Sequence, residues 1–238
     1  MTVDADTAVR YAIYFVPGPE GVLGRFGRYW FAPDGPPEIP GLSRERLVEA
    51  QTSARHYGFH ATMKAPFRPA PDRGEAELRA ALDVFAAGRA PLELPPLRVT
   101  RLGAYLTLRP DGATPALGEL AADCVRAFEP MRAPLNDAEI ARRRQSGLTP
   151  HQDDLMQRWG YPYVMDEFRF HMTLAGPLNQ DELDRLAKAL EPQCRELSAM
   201  PFVLDRLSLC RQAGRRAPFS VLATSEFGGM PLHRSAIT

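Results

Sequence analysis

Two short patterns carry the side chains best suited to chemistry in this sequence, His60-x-Thr62 and His171-x-Thr173. A neutral imidazole can take a proton from an attacking water or hydroxyl, and a second, as imidazolium, can give one to a leaving oxygen. Histidine suits both tasks because its unperturbed pKa lies near neutrality. Threonine hydroxyls can donate to the non-bridging oxygens of a phosphate, and Lys64 or Arg169 can offset charge developing around phosphorus. The chemistry that needs such a set is cleavage or transesterification of a phosphodiester without a metal, with positioning supplying the rest.

One His-x-Thr alone is weak, since eleven threonines in 238 residues place a Thr two positions after a given His about one time in twenty. Here the contexts match as well. Tyr57-Gly-Phe-His-Ala-Thr-Met-Lys-Ala-Pro-Phe67 aligns without gaps on Phe168-Arg-Phe-His-Met-Thr-Leu-Ala-Gly-Pro-Leu178, an internal repeat. Each copy is followed by a helix-start signal, Asp72-x-x-Glu75 and Asn179-x-x-Glu182. Amphipathic helices follow, with Leu78, Leu82 and Phe85 on one face of the first and Leu183, Leu186, Ala187 and Leu190 on one face of the second.

Two strand-like runs come after each helix: 97–102 and 105–108 in the first half, 202–210 and 219–223 in the second. The unit β-α-β-β thus occurs twice, which predicts an α+β protein with helices outside and antiparallel sheet inside. The first half covers about 1–132 and the second about 166–238. The segment 133–165 between them has no counterpart and reads as helical near 137–145 and 149–159, either a rim over a cleft or a packed helix pair. Further elements are a strand at 11–16, a helix near 20–30 and another near 43–54 opened by Ser43.

Strand parity sorts the two motifs. Phe168, Phe170, Met172 and Leu174 face one side, with Arg169, His171 and Thr173 opposite. Tyr57, Phe59, Ala61 and Met63 form the matching apolar stripe, with His60, Thr62 and Lys64 opposite. Tyr14, Tyr57 and Tyr163 are candidates to stack on a base or hold a sugar, and Tyr57 falls on the apolar face by parity. His56, His151 and His233 carry no assigned role, and Arg142–Arg144 and Arg215–Arg216 are candidates to steer an anion.

Twenty-nine basic and 29 acidic side chains balance, so no global field draws the chain to bulk nucleic acid or an anionic membrane. Cys124, Cys194 and Cys210 are odd in number and widely spaced, unlike a disulfide framework or a zinc pattern. With no apolar stretch of membrane-spanning length and no leader pattern in the first ten residues, a cytoplasmic protein is expected. No metal or cofactor is expected. Oligomeric state is not legible.

Paired His-x-Thr strands in two halves resemble the 2H phosphoesterase superfamily, which includes RNA 2′,3′-cyclic phosphodiesterases, 2′-5′ RNA ligase-like proteins and ADP-ribose cyclic phosphodiesterases. Arg10-Tyr-Ala-Ile-Tyr-Phe, Tyr57-Gly-Phe-His-Ala-Thr-Met-Lys, the stretch from Arg126-Ala-Phe to Ala133-Pro-Leu, Trp159-Gly-Tyr-Pro-Tyr-Val and Phe168-Arg-Phe-His-Met-Thr-Leu look like a branch encoded near phosphonate-utilisation genes. The resemblance implies a bilobal fold with two pseudo-symmetric lobes about a central cleft, catalytic His60 and His171, and phosphate-binding Thr62 and Thr173. The first functional reading is a cyclic phosphodiesterase that opens a small phosphorylated substrate, a nucleoside or ribose cyclic phosphate. The alternatives are an RNA-end-processing or 2′-5′ ligase-like protein, which needs a basic track beyond the cleft, and a non-catalytic phosphonucleotide binder.

Overall fold

The computed structural model describes residues 8–228 apart from 33 and 35–37, so His233 and part of the 33–40 proline-rich stretch lie outside the described residues. The chain forms strand β1 (Arg10–Phe15), helices α1 (Val22–Trp30) and α2 (Arg44–Tyr57), strand β2 (Ala61–Phe67) and helix α3 (Glu75–Ala87). Strands β3 (Leu92–Leu94), β4 (Leu97–Leu102) and β5 (Tyr105–Pro110) lead to helices α4 (Pro115–Ala127), α5 (Asp137–Arg144) and α6 (Pro150–Trp159). Strand β6 (Met172–Ala175), helices α7 (Gln180–Leu190) and α8 (Arg195–Ala199), and strands β7 (Phe202–Leu204), β8 (Arg206–Gln212) and β9 (Phe219–Glu226) complete it.

Seven strands form one antiparallel sheet in the order β4-β5-β6-β2-β1-β8-β9, and β3 pairs with β7 apart from it. This is the expected α+β architecture. The two His-x-Thr strands, β2 and β6, are neighbours joined through the single pair Ala61 and Met172, so the sheet divides there into two arms. The halves of the sequence interleave across that seam. Helix α3 of the first half packs on β8 and β9, whereas α7 of the second packs on β4 and β5.

Period-two burial produces the layering. Ile13 and Phe15, Ala61 and Met63, Leu106 and Leu108, Met172 and Leu174, and Leu207 and Leu209 all enter one core. Against that face lie Trp30 of α1, Leu47 of α2, Leu78, Leu82 and Phe85 of α3, Leu117 and Cys124 of α4, and Leu183, Leu186 and Leu190 of α7. The Trp30 indole N–H donates to the Leu174 carbonyl at 2.9 Å, tying α1 to the second motif strand. The other face carries the polar residues of β2, β5 and β6 and, on β1 and β8, a small cluster of Ala12, Tyr14 and Cys210.

The helix boundaries follow their caps. Ser43 Oγ accepts from the Arg46 N–H at 3.2 Å, as its sequence position predicts. Asn179 and Glu182 exchange hydrogen bonds at 3.0 and 2.8 Å in a reciprocal cap. The first helix starts later than the Asp72-x-x-Glu75 signal suggests, because Gly74 takes the cap and its N–H donates to Glu77 at 2.9 Å. The 202–210 run is two strands, since the chain leaves the β3 partnership and joins the main sheet at Asp205. Helix α4 is an element the periodicity reading omitted. All three cysteines are buried and unpaired. No helix among the described residues is long and apolar enough to cross a membrane.

Candidate active site

Register brings the two motifs together. With Ala61 opposite Met172, one step either way sets Thr62 beside His171 and His60 beside Thr173, on the face turned away from the core. Each imidazole thus has the other copy's hydroxyl as its cross-strand neighbour. All four side chains line one cavity of about 460 Å³, with Arg10, Tyr14, Tyr57, Tyr105, Thr107 and Tyr161 among the residues around them.

The duplication extends to backbone irregularities. Thr62 pairs with Tyr14, yet Ile13 pairs with Lys64; Thr173 pairs with Thr107, yet Leu106 pairs with Ala175. Each motif strand therefore carries a one-residue bulge immediately after its threonine, which ends the cleft-facing alternation at the same place in both copies.

That bulge corrects the expectation for Lys64. Instead of continuing the His60 and Thr62 face, its side chain turns to the helix-covered side, where it is 3% exposed. Its Nζ donates to Glu129 at 2.8 Å and to the Val125 carbonyl at 3.0 Å, so it is neither a cleft cation nor a surface charge. Parity also misplaces Tyr57. The strand begins only at Ala61, Tyr57 is the last residue of α2, and Gly58 at φ +77° breaks the alternation between them. Its ring lines the cavity, stacked on Phe219 at 5.4 Å. Tyr14 also lines the cavity, whereas Arg169 and Tyr163 are exposed and are not among its lining residues.

Both imidazoles are oriented alike by the chain. His60 Nδ1 lies 2.9 Å from the Gly58 carbonyl and His171 Nδ1 lies 2.8 Å from the Arg169 carbonyl. A carbonyl can only accept, so Nδ1 carries the proton and Nε2 is the basic atom in each neutral ring. His60 Nε2 lies 3.2 Å from Thr62 Oγ1. The Tyr14 ring stacks on His60 at 3.9 Å and 26°, removing water from one imidazole face.

Burial depresses both histidines. His60 is held at about 4, burial leading, with the Gly58 carbonyl opposing and a proton on His171 acting in the same direction as burial. His171 is also lowered, by burial first and then by the Arg109 guanidinium, against the Arg169 carbonyl. The folded value of His60 lies below its ordinary 6.5, so the unfolded chain binds that proton more readily. Its contribution to stability is full above about pH 6.5 and is lost as pH falls towards about 4. At about 1.4 kcal/mol per pKa unit this is at most ~3.5 kcal/mol. Denaturant midpoints should therefore fall more steeply between pH 7 and pH 4.5 in wild type than in His60→Gln. Parallel falls would show that His60 is not the source.

Sequence reasoning missed Arg10, Tyr105, Thr107 and Tyr161 as cavity residues. Arg10 and Thr107 sit at cleft-facing parity on β1 and β5, a signal that becomes usable once those strands are known to flank the motifs. Arg142, Arg143 and Tyr161, from the segment between the halves, also line the cavity, so that segment forms part of its rim. Among the described residues, no three His, Cys, Asp or Glu side chains cluster in a way that could hold a metal ion.

Fold and site define an α+β protein in which two duplicated strands place two histidines and two threonines on one cavity floor. The chain belongs to the family described as "Protein of unknown function (DUF1045)", whose model matches residues 62–220. It is 36% identical over 238 residues to a Janthinobacterium protein named ribose 1,5-bisphosphate phosphokinase PhnN, covering 95% of this chain and 52% of that one. A Laribacter hongkongensis protein of the same name is 32% identical over 180 residues, covering 74% and 42%. The chain thus spans about half the length of the curated relatives it matches. Among solved structures it overlaps E. coli LigT complexed with 3′-AMP at 13% identity and TM-score 0.42, covering 92% of this chain and 98% of that one. A conserved protein, ATU0111, from Agrobacterium tumefaciens overlaps at 14% and 0.41, covering 92% and 88%. At these values neither overlap carries the reading of the site.

Proposed function

We propose that the protein is a metal-independent 2H phosphoesterase that opens a small cyclic phosphodiester, a ribose or nucleoside cyclic phosphate, by paired histidine acid and base catalysis. The observation that carries this reading is the symmetric floor: two imidazoles with Nε2 set as the reactive atom, each beside a threonine hydroxyl. His60, the more depressed, is the base. Its neutral Nε2 takes a proton from water as the water oxygen bonds to phosphorus. His171, protonated on both nitrogens, gives its Nε2 proton to the ring oxygen as the phosphorus–oxygen bond breaks, leaving a phosphomonoester. Thr62 and Thr173 donate to the non-bridging oxygens, whose charge grows in the transition state.

The names of the curated relatives point to ribose phosphates, and a role in phosphonate catabolism fits the family resemblance. The sequence contains no G-x-x-x-x-G-K-[ST] cradle for nucleoside triphosphate phosphates, so the kinase reaction in those names is not transferred to this chain.

Protein treated with a chelator should open 2′,3′-cyclic nucleotides or ribose 1,2-cyclic phosphate at an undiminished rate, with a bell-shaped profile of kcat/KM against pH. Both imidazoles are depressed in the free protein, so the optimum should lie on the acid side of the ordinary histidine value of 6.5. In kcat it should move to higher pH, because a bound anion stabilises both imidazolium forms. Abolition of turnover by chelator would overturn the mechanism.

A further inference from the structure

The cavity is larger and more cationic than its floor requires. Its lining includes Arg10, Arg142, Arg143 and Arg215 and no aspartate or glutamate, in a chain whose net charge is zero. A cyclic phosphodiester carries a single negative charge, so a wall of guanidinium groups facing the floor implies a second anion.

Two of these arginines are built into place. Arg10 lies at cleft-facing parity on β1, and its Nε donates to Gln212 Oε1 at 2.8 Å, with Nη2 on the same oxygen. Gln212 is fully buried and is itself fixed, its Nε2 donating to the Ala217 and Arg215 carbonyls at 2.8 and 3.1 Å and lying 3.0 Å from His56 Nε2. Arg143, on α5, lies 5.2 Å over the Tyr161 ring, and its buried Nε has no hydrogen-bond partner. A desolvated guanidinium N–H without an acceptor is costly to leave unmade. Arg10 is close enough to disfavour the charge on Arg143, and Arg215 does the same to Arg10. The carboxylate that attracts Arg143, Glu139, is committed to Arg68 at 3.0 Å.

Three of the four tyrosine rings that line the cavity are already engaged. Tyr14 stacks on His60, Tyr57 on Phe219, and Tyr161 carries Arg143. With four arginines against one tyrosine ring outside these contacts, Tyr105, the wall offers chiefly charge where a nucleobase would want aromatic faces.

We propose that Arg10 and Arg143 form a second anion site, one that holds a non-reacting phosphomonoester of the substrate while the His/Thr floor holds the reacting phosphate. The substrate class is then a pentose cyclic phosphate bearing a further terminal phosphate. This rests on assigning the floor to the reacting phosphate, and two measurements separate the claims. In turnover, ribose 1,2-cyclic phosphate with a 5-phosphate should be preferred over the same compound without it by about 10²-fold in kcat/KM. Arg143→Met or Arg10→Gln should cut that ratio by about 10-fold or more, the effect of losing a charged hydrogen bond. In calorimetry, which needs no turnover, ribose 1,5-bisphosphate should bind at least about 10-fold more tightly than ribose 1-phosphate, and either substitution should remove the advantage. An unchanged calorimetric ratio in both variants would overturn the second site whatever the turnover shows. Loss of the ratio in protein that turns over neither cyclic compound would uphold the site and refute the proposed reaction.

Discussion

His60→Ala and His171→Ala should each lower kcat by about 10² to 10⁴ on the preferred cyclic phosphate, the range for removing a general acid or base. This corresponds to about 3–5 kcal/mol of transition-state stabilisation. The double variant should lose little beyond the worse single one, because base and acid act on one phosphorus centre and either loss disables the pair. Binding of ribose 1-phosphate should persist in both variants through Thr62, Thr173 and the surrounding cations. The two limbs of the pH profile should separate: His60→Ala should erase the acid limb, where the base must be neutral, and His171→Ala the alkaline limb, where the acid must be charged. Wild-type turnover in either single variant would remove that histidine from the mechanism.

The second large effect concerns stability. Glu129→Ala should destabilise the protein by about 3 kcal/mol, because it leaves the Lys64 ammonium without its carboxylate in a buried site. Lys64 is 3% exposed and its partner lies 2.8 Å away. Burial already lowers the Lys64 pKa, with Glu129 the main force opposing that shift. Val125 would still accept one bond, but a carbonyl does not replace a counter-charge. The paired change Lys64→Met with Glu129→Leu should recover only part of the loss, since it removes the Lys64 desolvation penalty but still leaves Arg132, which also pairs with Glu129, without that carboxylate. Denaturant unfolding of wild type and the two variants is the measurement. A neutral Glu129→Ala would mean that Lys64 reaches water or sheds its proton at little cost.

The Lys64 case also marks where sequence reasoning stops. Alternation along a strand is a local rule, and it correctly set Phe170, Met172 and Leu174 against His171 and Thr173. It failed at Lys64 because β2 carries an extra residue relative to β1 just after Thr62, which turns Lys64 to the core side. No residue type at that position announces a bulge. Tyr57 departs from parity for a related reason, since it ends helix α2 and Gly58 separates it from the strand.

What the sequence determined by itself was the duplication, the α+β class, the polar face of each motif, and the helix faces built on Leu78, Leu82 and Phe85 and on Leu183, Leu186 and Leu190. These follow from period, composition and capping, each set within about a dozen residues of chain. Only the tertiary structure decided that the two motif strands are neighbours, that each histidine lies beside the other copy's threonine, and that Arg10, Arg143 and Tyr161 reach the same cavity. The physical reason is that strand order and register depend on which faces can be buried together across the whole chain. Arg10 and Arg143 are 133 positions apart, and only the closed core brings their side chains to one wall.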